Sequence, residues 1–125
     1  MKLTALIVDD EPLARERIRT LLATEPDIEI IGECADGRSA LTTLRERLPD
    51  ILFIDVQMPE LTGLAVLQEL AKKPAVVIFV TAFDEHAVNA FEVHALDYLL
   101  KPFKPARLRA ALVRAREQLA KKSST

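Results

Sequence analysis

Four short apolar runs recur along the chain: Leu3–Val8, Ile51–Ile54, Ala75–Val80 and Leu96–Leu100. Each is bounded by charged or turn-forming residues, the pattern of strands buried on both faces of a parallel sheet. A fifth segment, Asp27–Cys34, places Asp27, Glu29 and Glu33 among isoleucines, and this partial alternation predicts an edge strand with one wetter side. In chain order these are β1 (3–8), β2 (27–34), β3 (51–54), β4 (75–80) and β5 (96–100). Helical spacing fills the intervals. Pro12 opens α1 (12–21), with Ala14, Ile18 and Leu21 on its stripe, at a position where a missing N–H costs nothing. Ala40, Leu41, Leu44 and Leu48 mark α2 (40–48), and Leu64, Leu67, Leu70 and Ala71 mark α3 (64–71). The weakest stripe is α4 (85–93), for which Asp84 is the expected N-cap. Leu108, Ala111, Leu112, Ala115 and Leu119 define α5 (108–119).

Five β-α alternations predict an α/β fold, a flavodoxin-like (βα)5 three-layer sandwich with parallel strand order 2-1-3-4-5. Residues 1–120 read as one domain and 121–125 as a polar tail or the start of a linker. Nothing repeats, and no stretch is of low complexity.

Composition narrows the classes. With 125 residues, half of them hydrophobic and 29% charged, the chain has the profile of one globular domain rather than a fibrous or disordered one. A net charge of −2 and a pI near 5.7 argue against a domain built to hold nucleic acid. Cys34 is the only cysteine, which excludes an internal disulfide and a cysteine-rich metal site, and its isoleucine neighbours suggest a small buried hydrophobe. The first apolar run is too short for a signal peptide or a membrane span, so the reducing cytoplasm is the expected location.

The polar residues carry the chemistry. Asp9 and Asp10 end β1, Asp55 ends β3, Thr81 ends β4 and Lys101 follows β5. In a parallel sheet all strand carboxyl ends lie at one edge, so these side chains should converge. Three crowded carboxylates cannot all stay ionised without compensation, and an oxygen-only donor set suits a hard divalent cation such as Mg²⁺. A carboxylate can also act as a nucleophile and form an aspartyl-phosphate, with Lys101 and the Thr81 hydroxyl placed to meet phosphoryl oxygens. Taken singly, each residue has a plainer explanation: Asp9 or Asp10 as a cap for the helix at Pro12, Lys101 as a solvated lysine. Their coincidence at four strand ends favours a site. His86 and His94 stand away from those ends and read as surface or packing residues. The three scattered glycines form no phosphate loop, and there is no Gly-x-Ser-x-Gly elbow.

In sequence order, Ile7–Pro12, Phe53–Pro59, Thr62-Gly63, Val80–Ala82 and Lys101–Phe103 resemble a response-regulator receiver (CheY-like) domain of two-component signalling over nearly the whole chain. The resemblance implies Asp55 as phosphoacceptor for a sensor histidine kinase. It implies Mg²⁺ bound by Asp10 directly, by Asp9 directly or through water, by Asp55, and by the Gln57 backbone carbonyl. Thr81 would move toward the phosphoryl group, Lys101 would pair with it, and Tyr98 would be the aromatic switch. Lys101-Pro102 would be cis. Residues 81–87 and 91–103 are similar to the LytTR-type (LytR/AlgR-like) regulators, which implies DNA binding and transcription control through a LytTR domain outside this chain. The expectation is therefore a receiver cut from its effector, with a stand-alone receiver as the other reading.

Two further expectations follow. Asp84, Glu85, Glu92 and Asp97 form an acidic patch, while eight basic residues lie between Lys101 and Lys122, so the α4-β5-α5 face is self-complementary under a two-fold axis and predicts a phosphorylation-favoured homodimer. The domain is not expected to be a classical enzyme, beyond slow Mg²⁺-dependent self-phosphorylation and dephosphorylation. An aspartyl-phosphate phosphatase is the competing class, but Gln57 stands where such enzymes carry a second aspartate as general acid.

Overall fold

The computed structural model describes residues 2–82 and 95–123, without the side chains of the last two. Predicted α4, its Asp84 cap, Glu85, His86, Glu92 and His94 lie outside the described residues. Five parallel strands form one sheet in the order β2-β1-β3-β4-β5, as the alternation predicted. They span Leu3–Val8, Ile28–Cys34, Ile51–Ile54, Val76–Thr81 and Asp97–Leu100.

Strand side chains alternate between two cores. Ala5, Ile7, Phe53, Ile78, Val80 and Leu99 pack under α1 and α5, while Leu6, Val8, Leu52, Ile54 and Phe79 pack under α2 and α3. Burial on both faces is why β1, β3 and β4 read as continuous apolar runs. β2 is at the sheet edge, where Glu29 and Glu33 reach solvent.

Helix boundaries depart from the stripes where local chemistry intervenes. α2 spans Gly37–Glu46, with its first turn capped by Asp36, whose side chain accepts the Ser39 N–H. It stops before Leu48, which is exposed, because Pro49 disfavours helical backbone at the residue preceding it. α3 spans Gly63–Glu69, so Leu70 is a buried C-cap and Ala71 is exposed. In α1, Pro12–Leu22, the buried stripe is Ile18 and Leu22, with Ala14 and Leu21 at its margin. The α5 stripe is buried at all five expected positions, and the helix runs from Pro105 to Ser123.

α5 is fastened by charge as well as by apolar contact. Arg116 binds Asp27 through Nε and Nη2 and reaches Glu25 through Nη2 at 2.6 Å. Arg107 grips buried Asp97 with two bonds, of 3.0 and 2.6 Å, and Arg114 approaches the same carboxylate at 3.3 Å.

Candidate functional site

The sheet ladder carries three polar residues one rung past the strand ends. Asp9 donates its N–H to the Cys34 carbonyl, Asp55 to that of Val8, and Lys101 to that of Thr81. Each side chain therefore starts from a backbone position fixed by a neighbouring strand. The two aspartates then use one device. Oδ1 of Asp9 accepts the Glu11 N–H at 2.9 Å, and Oδ1 of Asp55 accepts the Gln57 N–H at 3.0 Å. Oδ2 of each faces Lys101 Nζ, at 2.8 Å from Asp9 and 3.0 Å from Asp55. Glu11 completes the ring around the ammonium, with Oε1 at 2.5 Å.

Asp9 and Asp55 are buried, as is Thr81, the last residue of β4. Asp10, Glu11, Asp55, Gln57, Met58, Pro59, Thr81 and Ala82 line an open cleft of about 420 Å³. The structure thus gathers Asp10, Asp55, Gln57 and Thr81 around one opening, with Asp9 and Lys101 meeting Asp55 beneath it. Neither Asp9 nor Asp10 caps α1. The N-cap is Glu11, whose side chain makes no capping bond and turns to Lys101 instead.

Electrostatics follow from this burial. Burial pushes the Asp9 carboxyl above its ordinary value, and the nearby Asp55 charge adds to the rise. The Lys101 and Glu11 N–H contacts offset only part of it. Burial alone would lower the Lys101 pKa, but the close carboxylates of Asp9, Glu11 and Asp55 outweigh it and hold the group above the usual lysine range. The Asp9–Lys101 contact is an ion pair by distance, yet Oδ2 of Asp9 is fully buried and receives no well-directed hydrogen bond. One oxygen each from Asp9, Glu11 and Asp55 lie within 4.8 Å of one another. This buried, under-satisfied oxygen among carboxylates fits a hard divalent cation.

Two neighbours fix the frame. Gly63, at the start of α3, donates to the Val56 carbonyl at 2.9 Å, and a Cβ there would lie 2.1 Å from the Asp55 carbonyl oxygen. Arg17 donates to the Phe103 carbonyl at 2.9 Å and stands over the Phe103 ring, fixing the loop beyond Lys101. The Lys101-Pro102 peptide is cis. Tyr98 lies on the sheet face that also carries Phe79, and the two rings stack at 5.7 Å. Thr81 follows Phe79 by two residues on β4 and so shares that face.

The sequence reading gave Glu11 no role. Its signal was a long acidic side chain directly before Pro12, where a short capping residue is the usual choice.

Residues 5–113 match the family model of the response regulator receiver domain. The chain belongs to that family. The receiver is 50% identical over 117 residues to the transcriptional regulatory protein BtsR of Salmonella typhi, covering 93% of this chain and 49% of BtsR. It thus spans about half the length of the curated relatives it matches. The receiver domain of AraT from Geobacillus stearothermophilus superposes with a TM-score of 0.85 at 36% identity, covering 98% of this chain and 99% of that one. The CheX–CheY–BeF3–Mg²⁺ complex of Borrelia burgdorferi superposes with a TM-score of 0.78 at 25% identity, covering 89% of this chain and 87% of that one. The chain is therefore a response-regulator receiver of the two-component class. Among the described residues no helix is long and apolar enough to cross a membrane.

Proposed function

We propose that this receiver works in the cytoplasm and accepts a phosphoryl group on Asp55 from a cognate sensor histidine kinase. The observation that carries the reading is the arrangement of Asp55: one oxygen held by the Gln57 N–H, the other facing a lysine ammonium at the base of an open cleft. In the transfer, an Asp55 oxygen attacks phosphorus as the P–N bond of the donor phosphohistidine breaks, and the bonding pair returns to the imidazole nitrogen. Lys101 neutralises charge on the phosphoryl oxygens, and the Thr81 hydroxyl donates to one of them. Asp9, Asp10, Asp55 and the Gln57 carbonyl are the proposed Mg²⁺ ligands, with Glu11 beside them. Mg²⁺ would supply charge neutralisation between Asp55 and the phosphoryl group. The Mg²⁺ and BeF3 of the Borrelia complex support the same chemistry here.

Output runs through Thr81 and Tyr98, which share a sheet face on adjacent strands, toward the α4-β5-α5 face and a homodimer. Charge contributes less to that dimer than the sequence count suggested. Arg107 and Arg114 are engaged with Asp97, and Arg116 with Glu25 and Asp27. Leu100 and Val113 supply exposed apolar surface instead, 44% and 51% accessible. In the longer protein, the switch would control a LytTR domain and thereby transcription, as the regulatory name of BtsR supports.

The decisive test is intact mass after incubation with Mg²⁺ and acetyl phosphate. One phosphoryl adduct is expected on the wild type, and none on Asp55→Asn or after chelation. A wild type that binds Mg²⁺ yet gains no adduct from either acetyl phosphate or a phosphorylated kinase would refute the reading.

A further inference from the structure

A lysine ammonium has three N–H donors, and three carboxylates stand around that of Lys101: Glu11 at 2.5 Å, Asp9 at 2.8 Å and Asp55 at 3.0 Å. Glu11 and Asp55 accept hydrogen bonds from the ammonium, and Asp9 is paired with it by charge at short range. Three anions thus already crowd the cation, and a phosphoryl oxygen gains its full attraction only when one carboxylate gives way. The three differ sharply in what release would cost. The Asp9 and Asp55 side chains are 1% and 6% exposed, and freeing either inside the site leaves a buried charge without its cation. The Glu11 side chain is 61% exposed, so water can replace the lysine as its partner. Glu11 also has no helix-capping duty that would hold it in place.

We propose that Glu11 is the releasable counter-ion of Lys101: a positioning residue that holds the ammonium in the resting cleft and surrenders it to the incoming phosphoryl group. The inference rests on Asp55 being the phosphoacceptor. Glu11 then has two opposed effects. Its charge adds to the field that draws the divalent cation, and its bond to Lys101 slows the step in which the lysine changes partner.

Glu11→Gln separates the two effects, since the amide keeps the shape and a weaker acceptor oxygen but loses the charge. Three quantities are compared with wild type: the Mg²⁺ dissociation constant by calorimetry, the rate of adduct formation from acetyl phosphate at saturating Mg²⁺, and the melting temperature. Weaker Mg²⁺ binding is expected, together with a rate about two- to fivefold faster, the range that losing an exposed ion pair allows. A general structural defect would instead lower the rate, the affinity and the melting temperature together. A rate at saturating Mg²⁺ equal to or below wild type overturns the proposal. A failure of the phosphoacceptor reading itself would appear separately, as a wild type that forms no adduct.

Discussion

Gly63 offers the sharpest test of how backbone packing fixes Asp55, the proposed phosphoacceptor. A Cβ at this position would lie 2.1 Å from the Asp55 carbonyl oxygen and 3.0 Å from its carbon, and the first of these has no flexible side chain to yield. Relief to 3.0 Å requires about 0.9 Å of movement between the start of α3 and Asp55. Forcing a group into a packed site costs about 1–3 kcal/mol, against a helix-propensity gain for alanine of at most about 1 kcal/mol. Gly63→Ala should therefore be destabilised by about 1–2 kcal/mol, lowering the melting temperature by about 3–10 °C. The larger effect should be chemical. A displacement near 1 Å at a reacting centre can cost about a hundredfold in rate, so adduct formation should fall far more than stability does. The assay is the acetyl phosphate time course at a temperature where the variant is fully folded. Gly32→Ala is the control, because its added Cβ would meet only a Leu6 methyl at 3.4 Å. If Gly63→Ala matches Gly32→Ala in both melting temperature and rate, the close approach does not position Asp55.

Mg²⁺ at a hundredfold excess over its dissociation constant should stabilise the wild type by about 2.7 kcal/mol, and Asp9→Asn should abolish that increment; an undiminished Mg²⁺-dependent rise in melting temperature would remove Asp9 from the ligand set. Arg107→Ala should cost about 1–2 kcal/mol, because buried Asp97 then keeps the Tyr98 N–H and, as a cation, Arg114 at 3.3 Å. For Asp97, burial alone would raise the carboxyl, but hydrogen bonds from Arg107 and the Tyr98 N–H and the charges of Arg107 and Arg114 outweigh it and leave the group below the usual carboxylate range. Its stabilising contribution is thus present above the unfolded value and is lost as pH falls through the lower folded value. Urea unfolding at pH 6 and pH 3 should show a smaller acid loss in Arg107→Ala than in wild type, and equal losses would refute this account.

The sequence revealed those features that depend on period and topology. Asp9, Asp55, Thr81 and Lys101 could be placed together because a parallel sheet sends every strand carboxyl end to one edge, whatever the separation along the chain. β2 was legible as an edge because Glu29 and Glu33 interrupt its isoleucines. Leu48 misled because its spacing fits the stripe, while Pro49 acts on the backbone and leaves the hydrophobic pattern untouched. Arg107 and Arg116 misled differently. They read as part of a basic patch facing a partner or pairing with near neighbours, yet the carboxylates they meet sit on other elements, in Arg116's case about ninety positions away. Which carboxylate an arginine meets depends on where each side chain ends, and no periodicity encodes that.

The same division explains how the site can be both rigid and responsive. Asp9, Asp55 and Lys101 have backbones tied to three different strand ends, and their side chains are at most 16% exposed, so their mutual distances are a property of the sheet. Moving any of them means breaking ladder bonds or leaving a buried charge uncompensated, which a single ligand cannot readily drive. Glu11 has neither constraint on its side chain. It meets the same ammonium from solvent, where exchange with water costs little. A fixed set of charges sets the chemistry, and one exposed carboxylate decides when the lysine is free to take part in it.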